Sequence, residues 1–209
     1  MAKIILDISA NTHKNNWDYL KRMLDELKAV DTGKHSITIK HQLFKEAGQN
    51  IPLDKTIFDL AYVYAQQLGY PTTSSVFDKE SLEFLLQFDV PMVKIANRRD
   101  LDWLIGEVPR KIPVYISCSS YGEEETLWNE KLSPQDRCLS CISKYPATLQ
   151  EYEKSHHSFY SISDHTTNFD LWNKAKPELI EWHYVLEHDV NNLDGGLFAR
   201  TPTMLAEIL

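Results

Sequence analysis

Apolar and polar positions along this chain follow two periods, and the two periods take turns from one end to the other. A short apolar run, or apolar residues at every second position, predicts a strand. Apolar residues three and four apart predict one face of a helix. Residues 3–9 (K-I-I-L-D-I-S) read as a strand. Residues 15–31 follow with Trp17, Leu20, Met23, Leu24 and Leu27 on a single helical stripe. The unit then recurs: strand 36–42 and helix 53–68, strand 72–76 and helix 79–88, strand 91–96 and helix 100–108. A fifth strand at 113–118 leads into residues 119–136, which carry no clean stripe and read as irregular. Strand 138–143 with a short helix at 148–155, strand 159–163 with helix 168–174, and strand 180–186 with a closing helix at 202–209 complete the series.

Eight strands with helices between most of them predict an α/β fold. Consecutive parallel strands need crossover connections, and helices supply them. Eight such units favour a compact (β/α)8 TIM barrel with a reduced helix after the fifth strand. An open doubly wound sheet shares the same pattern. No repeat, linker or shift in composition divides the chain, so residues 1–209 read as one domain.

A barrel of this kind collects its chemistry at the C-terminal ends of the strands, where residues two apart share a face. By that rule Asp7, Ser9 and Asn11 end the first strand in one parity. Lys40 and Gln42 end the second, Lys94 the fourth, Ser117 the fifth and Ser143 the sixth. Ser163 and His165 end the seventh, and Glu181 and His183 the eighth. The seventh and eighth strands are neighbours in a barrel, so His165 and His183 can meet. Two imidazoles that leave positions for water and substrate suit a divalent metal; satisfied core histidines would give the same pattern. A lysine inside an apolar strand is costly unless it meets an anion, so Lys40 and Lys94 point to a bound phosphate or carboxylate, with snorkelling to the rim as the alternative.

The net charge of −8 argues against nucleic acid as a partner, because phosphate backbones need a basic face. At 43% hydrophobic and 25% charged residues, the balance is that of a globular chain. Three cysteines suit a reducing compartment, and Cys138-Leu-Ser-Cys141 lies in a strand where positions three apart face opposite sides. A zinc or redox pair is therefore disfavoured. The N-terminal apolar stretch is too short for a signal peptide, and no run approaches the roughly 18 residues of a membrane span. The expectation is a soluble, cytoplasmic protein with no membrane partner.

Six segments occur in order that together resemble the N-acetylneuraminate (sialic acid) synthase family, which includes legionaminic and pseudaminic acid synthases. They are I-T-I-K-H-Q (37–42), F-D-K-E-S-L-E-F-L (77–85), V-P-M-V-K-I-A (90–96), C-I-S-K-Y-P (141–146), S-I-S-D-H-T (161–166) and I-E-W-H-Y (180–184). The resemblance implies a TIM barrel that condenses phosphoenolpyruvate with an N-acetylmannosamine-type aldehyde, an N-acetylated amino sugar, and releases phosphate. It implies Mn2+ or Mg2+ on His165 and His183, and phosphoenolpyruvate on Lys40, Lys94, Ser117, Ser143 and Ser163. Asn11, Gln42, Tyr145 and Asp194 would surround the sugar, with Asp164 and Glu181 supporting the metal histidines. Asp7 and Asp100 would join the lysines as catalytic groups.

There are departures from the family pattern. Asp7-Ile-Ser-Ala-Asn11 stands where the family opens with glutamate and ends in Asn-His, and His13 is the nearest substitute. Asn97-Arg98-Arg99 separates Lys94 from the nearest acid, Asp100. The sequence ends at the eighth helix, where the family continues into an antifreeze-like domain that supplies a sugar-binding arginine. Arg98, Arg99 and Arg200 are the candidates for that contact. A homodimer of barrels is the expected assembly. Two other readings use the same residues: an aldolase with a Schiff base on Lys40 or Lys94, and a degenerate barrel that binds ligand without turnover.

Overall fold

Eight parallel strands pair in chain order and close on themselves: β1 (Lys3–Asp7), β2 (Ser36–Leu43), β3 (Thr72–Val76), β4 (Val93–Ile95), β5 (Val114–Cys118), β6 (Arg137–Cys141), β7 (Ser161–Ser163) and β8 (Leu179–His183). The computed structural model describes residues 1–45, 48–155 and 159–209. β1 decides the topology, because it pairs with β2 on one side (Asp7 opposite Lys40) and with β8 on the other (Asp7 opposite His183). An open sheet would leave β1 or β8 at an edge. The TIM barrel is therefore the fold.

The connecting helices are α1 (Ala10–His13), α2 (Trp17–Val30), α3 (Lys55–Gln67), α4 (Lys79–Leu85), α5 (Leu104–Glu107), α6 (Tyr121–Glu130), α7 (Leu149–Lys154), α8 (Asp170–Ala175) and α9 (Pro202–Leu205). Among the described residues no helix is long and apolar enough to cross a membrane. Most begin on a side-chain cap, which satisfies an amide the helix itself cannot. Asn16 caps α2, Asp54 caps α3 and Asp78 caps α4. Thr148 and Glu151 form a reciprocal capping box on α7.

Several elements differ from the sequence expectation. Residues 119–136 were expected to be irregular, yet α6 occupies Tyr121–Glu130. Ser120 accepts from the Glu123 amide and Glu123 reaches back to Ser119, while only Leu127 is buried. A helix held by its cap and acidic first turn needs no apolar stripe. The helix expected over 100–108 is broken into a 3-10 turn, Arg99–Leu101, and α5. β1 also ends early, at Asp7, because Ser9 turns to cap α1.

Two apolar clusters pack outside the cylinder, one under α2, α8 and α9 and one against β3 to β6. A third lies inside: Ile5, Met92, Leu139 and Leu179, with Tyr115 against them. Each of these five stands two residues before a polar strand side chain: Asp7, Lys94, Cys141, Glu181 and Ser117 respectively. The interior is thus an apolar floor carrying a polar layer at the C-terminal mouth, which is where a barrel of this type holds its chemistry.

Candidate active site

The mouth opens on a cavity of about 400 Å³ lined by residues from the ends of nearly every strand. Asp7 and Gln42 line it beside Lys40, and Lys94 beside Ser117. Ser143, Tyr145 and Ser163 line it from β6 and β7. His165, Glu181, His183 and Asp194 close the remaining side.

At the centre Lys40 Nζ lies 2.8 Å from Asp7 Oδ2 and 2.7 Å from Glu181 Oε1. The other Glu181 oxygen, Oε2, is 3.3 Å from Lys94 Nζ. One carboxylate therefore bridges two ammonium groups in a region closed to solvent. Lys40 also donates to Ser75 at 3.1 Å, Lys94 to Ser117 at 2.7 Å, and Gln42 to Asp7 Oδ2 at 2.8 Å. Burial alone would discharge these groups, but their partners reverse it for two of them. Lys40 is held well above the ordinary lysine value by Asp7 and Glu181, and Glu181 well below the carboxylate range by Lys40 and Lys94. For Lys94 burial wins over Glu181 and its value falls, and for Asp7 burial wins over Lys40 and its value rises. Asp7 Oδ1 and Glu181 Oε2 make no hydrogen bond although both are buried. Glu181 Oε2 keeps its ion pair with Lys94, so Asp7 Oδ1 is the one of the two with no polar partner, an uncommon state for a buried carboxylate oxygen.

His165 and His183 meet across the mouth, with ring centroids 5.5 Å apart. His165 Nδ1 is 2.8 Å from the Ile142 carbonyl, which can only accept, so Nδ1 carries the proton and Nε2 the lone pair. Burial, with His183 nearby, lowers His165 to about 3, and the ring is neutral at pH 7. Tyr145 lies against it at 4.1 Å between ring centroids, and Phe198 packs on His183 at 5.1 Å. His183 Nδ1 faces Asp194 Oδ1 at 3.4 Å and Asp7 Oδ2 at 3.7 Å without a hydrogen bond. A ring whose other nitrogen donates to a carbonyl is the usual form of an imidazole metal ligand. Among the described residues no group of three His, Cys, Asp or Glu side chains is arranged to hold an ion. The donors the mouth offers such an ion are the two imidazoles alone, with the Nε2 lone pair of His165 left by its Nδ1 bond.

Other expected residues stand elsewhere. Asn11 is one step behind the mouth, donating to Asp194 Oδ2 at 2.6 Å and accepting from the Ile51 amide. Asp164 is buried in the wall, where it accepts from Trp182 Nε1 and Arg200 rather than from a histidine. Glu181 likewise supports the lysines and not an imidazole. Asp100 lies on the exposed turn after β4, paired with Arg98 and away from the cavity. Of the arginines, only Arg98 lines the mouth. Arg99 donates to the Ser117 carbonyl, and Arg200 is fully buried. His13 is buried with neither ring nitrogen hydrogen-bonded, outside the mouth lining.

Several lining residues escaped the sequence reading. Ser75 shares the inward parity of β3, and Cys141 that of β6; the two-residue rule could have found both. Cys138, three positions from Cys141, packs in the outer cluster instead. Asn97 donates to Ser143 at 2.8 Å and ties the ends of β4 and β6 together. Asn50 arrives in the lining on a loop, as Phe198 arrives behind it against Tyr145 and His183, and no local pattern marks either.

Residues 21–208 match the family model described as NeuB family. The chain is 26% identical over 172 residues to pseudaminic acid synthase of Campylobacter jejuni, a stretch that covers 74% of this chain and 49% of that protein. It therefore spans about half the length of the curated relatives it matches. The fold superposes on the N-acetylneuraminic acid synthetase of Leptospira borgpetersenii, solved with citrate, at a TM-score of 0.78 and 24% identity, covering 98% of this chain and 80% of that one. It superposes equally on the spore coat polysaccharide biosynthesis protein spsE of Bacillus subtilis, at 0.78 and 18% identity, over 99% of this chain and 65% of that one.

Proposed function

Because the chain belongs to the NeuB family, we propose that it is a nonulosonic acid synthase, which joins phosphoenolpyruvate to an N-acetylated amino sugar in its open aldehyde form. The observation that carries this reading is the Lys40–Glu181–Lys94 bridge facing two imidazoles across one cavity. The two halves suit two different substrates. The lysines and the hydroxyls of Ser75, Ser117 and Ser163 offer donors to the carboxylate and phosphate of phosphoenolpyruvate. His165 and His183 would hold Mn2+ or Mg2+, and such an ion supplies Lewis-acid polarisation of a carbonyl oxygen.

In the reaction, carbon 3 of phosphoenolpyruvate bonds to the aldehyde carbon and the aldehyde oxygen takes up a proton. Water then adds at carbon 2, and the bond from that carbon to the phosphate oxygen breaks. Phosphate leaves and the 2-keto acid remains. Asp7, raised by burial and in contact with Lys40, is placed to hold or pass a proton. Asp194, which lines the mouth and accepts from Asn11 behind it, would be the group that meets the sugar.

The test is phosphate release and 2-keto acid formation from phosphoenolpyruvate with Mn2+ across a panel of N-acetylated amino sugars. Release that depends on both substrates supports the reading; no product with any acceptor, with phosphoenolpyruvate still binding, favours a barrel that binds without turnover. The lowered value of Lys94 favours one further reading, an aldolase with an imine on that amine. Borohydride trapping of a carbonyl substrate on Lys94 would establish it, since the synthase route forms no imine.

A further inference from the structure

Arg200 stands at a position where no ordinary folding demand calls for a guanidinium. It is fully excluded from solvent, in the loop between β8 and α9, and burying a charge is costly unless every partner is supplied. The partners here are specific. Nη2 pairs with Asp164 Oδ2 at 2.8 Å and donates to the Asn168 carbonyl at 2.8 Å. Nη1 donates to the carbonyls of Thr166 at 2.7 Å and Phe198 at 2.9 Å. Asp164 and Thr166 are the residues on either side of His165.

The main chain of Arg200 grips the other histidine. Its amide donates to the His183 carbonyl at 2.7 Å and its carbonyl accepts from Val185, so residue 200 pairs beside Tyr184 like a short extra strand. The Asp164 carboxylate completes the connection, accepting from Trp182 Nε1, next to His183, and from the Thr166 amide. The ring of Trp182 and that of Phe169 lie 5.5 and 5.1 Å from the guanidinium carbon. One side chain thus holds the Asp164 carboxylate before His165 and the Thr166 carbonyl after it, while the same residue's backbone holds His183.

We infer that Arg200 is a positioning residue for the two-histidine centre, fixing the separation of His165 and His183 without touching ligand. This rests on the reading of those histidines as the metal pair, so the test has one arm with metal and one without. In the metal-free protein, histidine-ring NMR of Arg200→Lys should move the His165 and His183 resonances and leave those of His13 and His41, on the other side of the β1 wall, in place. In calorimetry the same variant should bind Mn2+ about 10- to 100-fold more weakly. Its affinity for phosphoenolpyruvate, held on the lysine side, should be unchanged. Asp164→Asn, which keeps the shape and removes the charge partner, should show the same pattern in milder form.

Unmoved His165 and His183 resonances in folded Arg200→Lys would overturn the inference. So would Mn2+ affinity equal to that of the wild type. If the wild-type protein binds no metal, the metal reading fails and the ring spectra alone decide on Arg200. Loss of the fold in both variants would also sink the idea, since Arg200 would then support the whole barrel and not its mouth.

Discussion

Two pairs of buried histidines sit on opposite sides of one barrel wall, and of these four His165 and His183 line the mouth. His165 and His183 project into the mouth among carboxylates, hydroxyls and lysines. His13 and His41 lie outside it. His41, between the inward-facing Lys40 and Gln42, points outward and packs edge-on against Phe58. Burial depresses His41 to about 3 and His13 to about 4, as it depresses His165 to about 3. Burial, and the depressed value His165 shares with His13 and His41, therefore fail to mark His165 out. What separates them is place: His41 packs on Phe58 and His13 borders a different, outer pocket, with three of their ring nitrogens making no hydrogen bond, whereas the inner pair lines the mouth with the lysines and carboxylates.

Lys40→Met gives the sharpest break within the inner region. It leaves Asp7 and Glu181 buried beside one remaining ammonium, and losing one partner of such a cluster costs about 3–5 kcal/mol. Urea unfolding should register that loss, together with the disappearance of phosphoenolpyruvate binding. A variant that unfolds at the wild-type midpoint would show that the cluster is not held by its charges.

Next in size is His183→Ala or His165→Ala. Either should weaken Mn2+ binding by at least about tenfold, read by calorimetry, and lower phosphate release in parallel. Undiminished metal affinity in the double variant would place the ion elsewhere.

The outer pair should reveal itself only through pH. Its rings titrate near 6.5 when unfolded and near 3 to 4 when folded, so between those limits the unfolded chain binds more protons. Stability from this source is complete above about pH 6.5 and declines as the pH falls, by up to about 1.4 kcal/mol per pH unit for each ring. His41→Asn should remove one ring's share of that acid slope in unfolding measured from pH 7 to 4, with phosphate release at pH 7.5 left near the wild-type rate. An unaltered slope would mean that His41 is not the neutral, buried base described above.

The smallest effect belongs to Asp100→Asn. On its exposed turn, with Arg98 as its partner, it should leave both the melting temperature and phosphate release as they were. A large fall in turnover would bring that turn into the site after all.

The eight-fold alternation of periods fixed the strand and helix order, because each strand needs an apolar face and each crossover needs a stripe to cover it. The two-residue rule then placed Asp7, Lys40, Lys94, Glu181 and both mouth histidines on the inner face. Tertiary structure alone decided the rest. A capped helix such as α6 leaves no apolar signature. Phe198 and Asn50 come from loops that follow no period. Asp164 and Arg200 carry chemistry-bearing side chains that only packing shows to be occupied with each other. Whether a buried charge serves a ligand or a neighbour depends on which groups surround it in space, and periodicity along one strand contains no record of them.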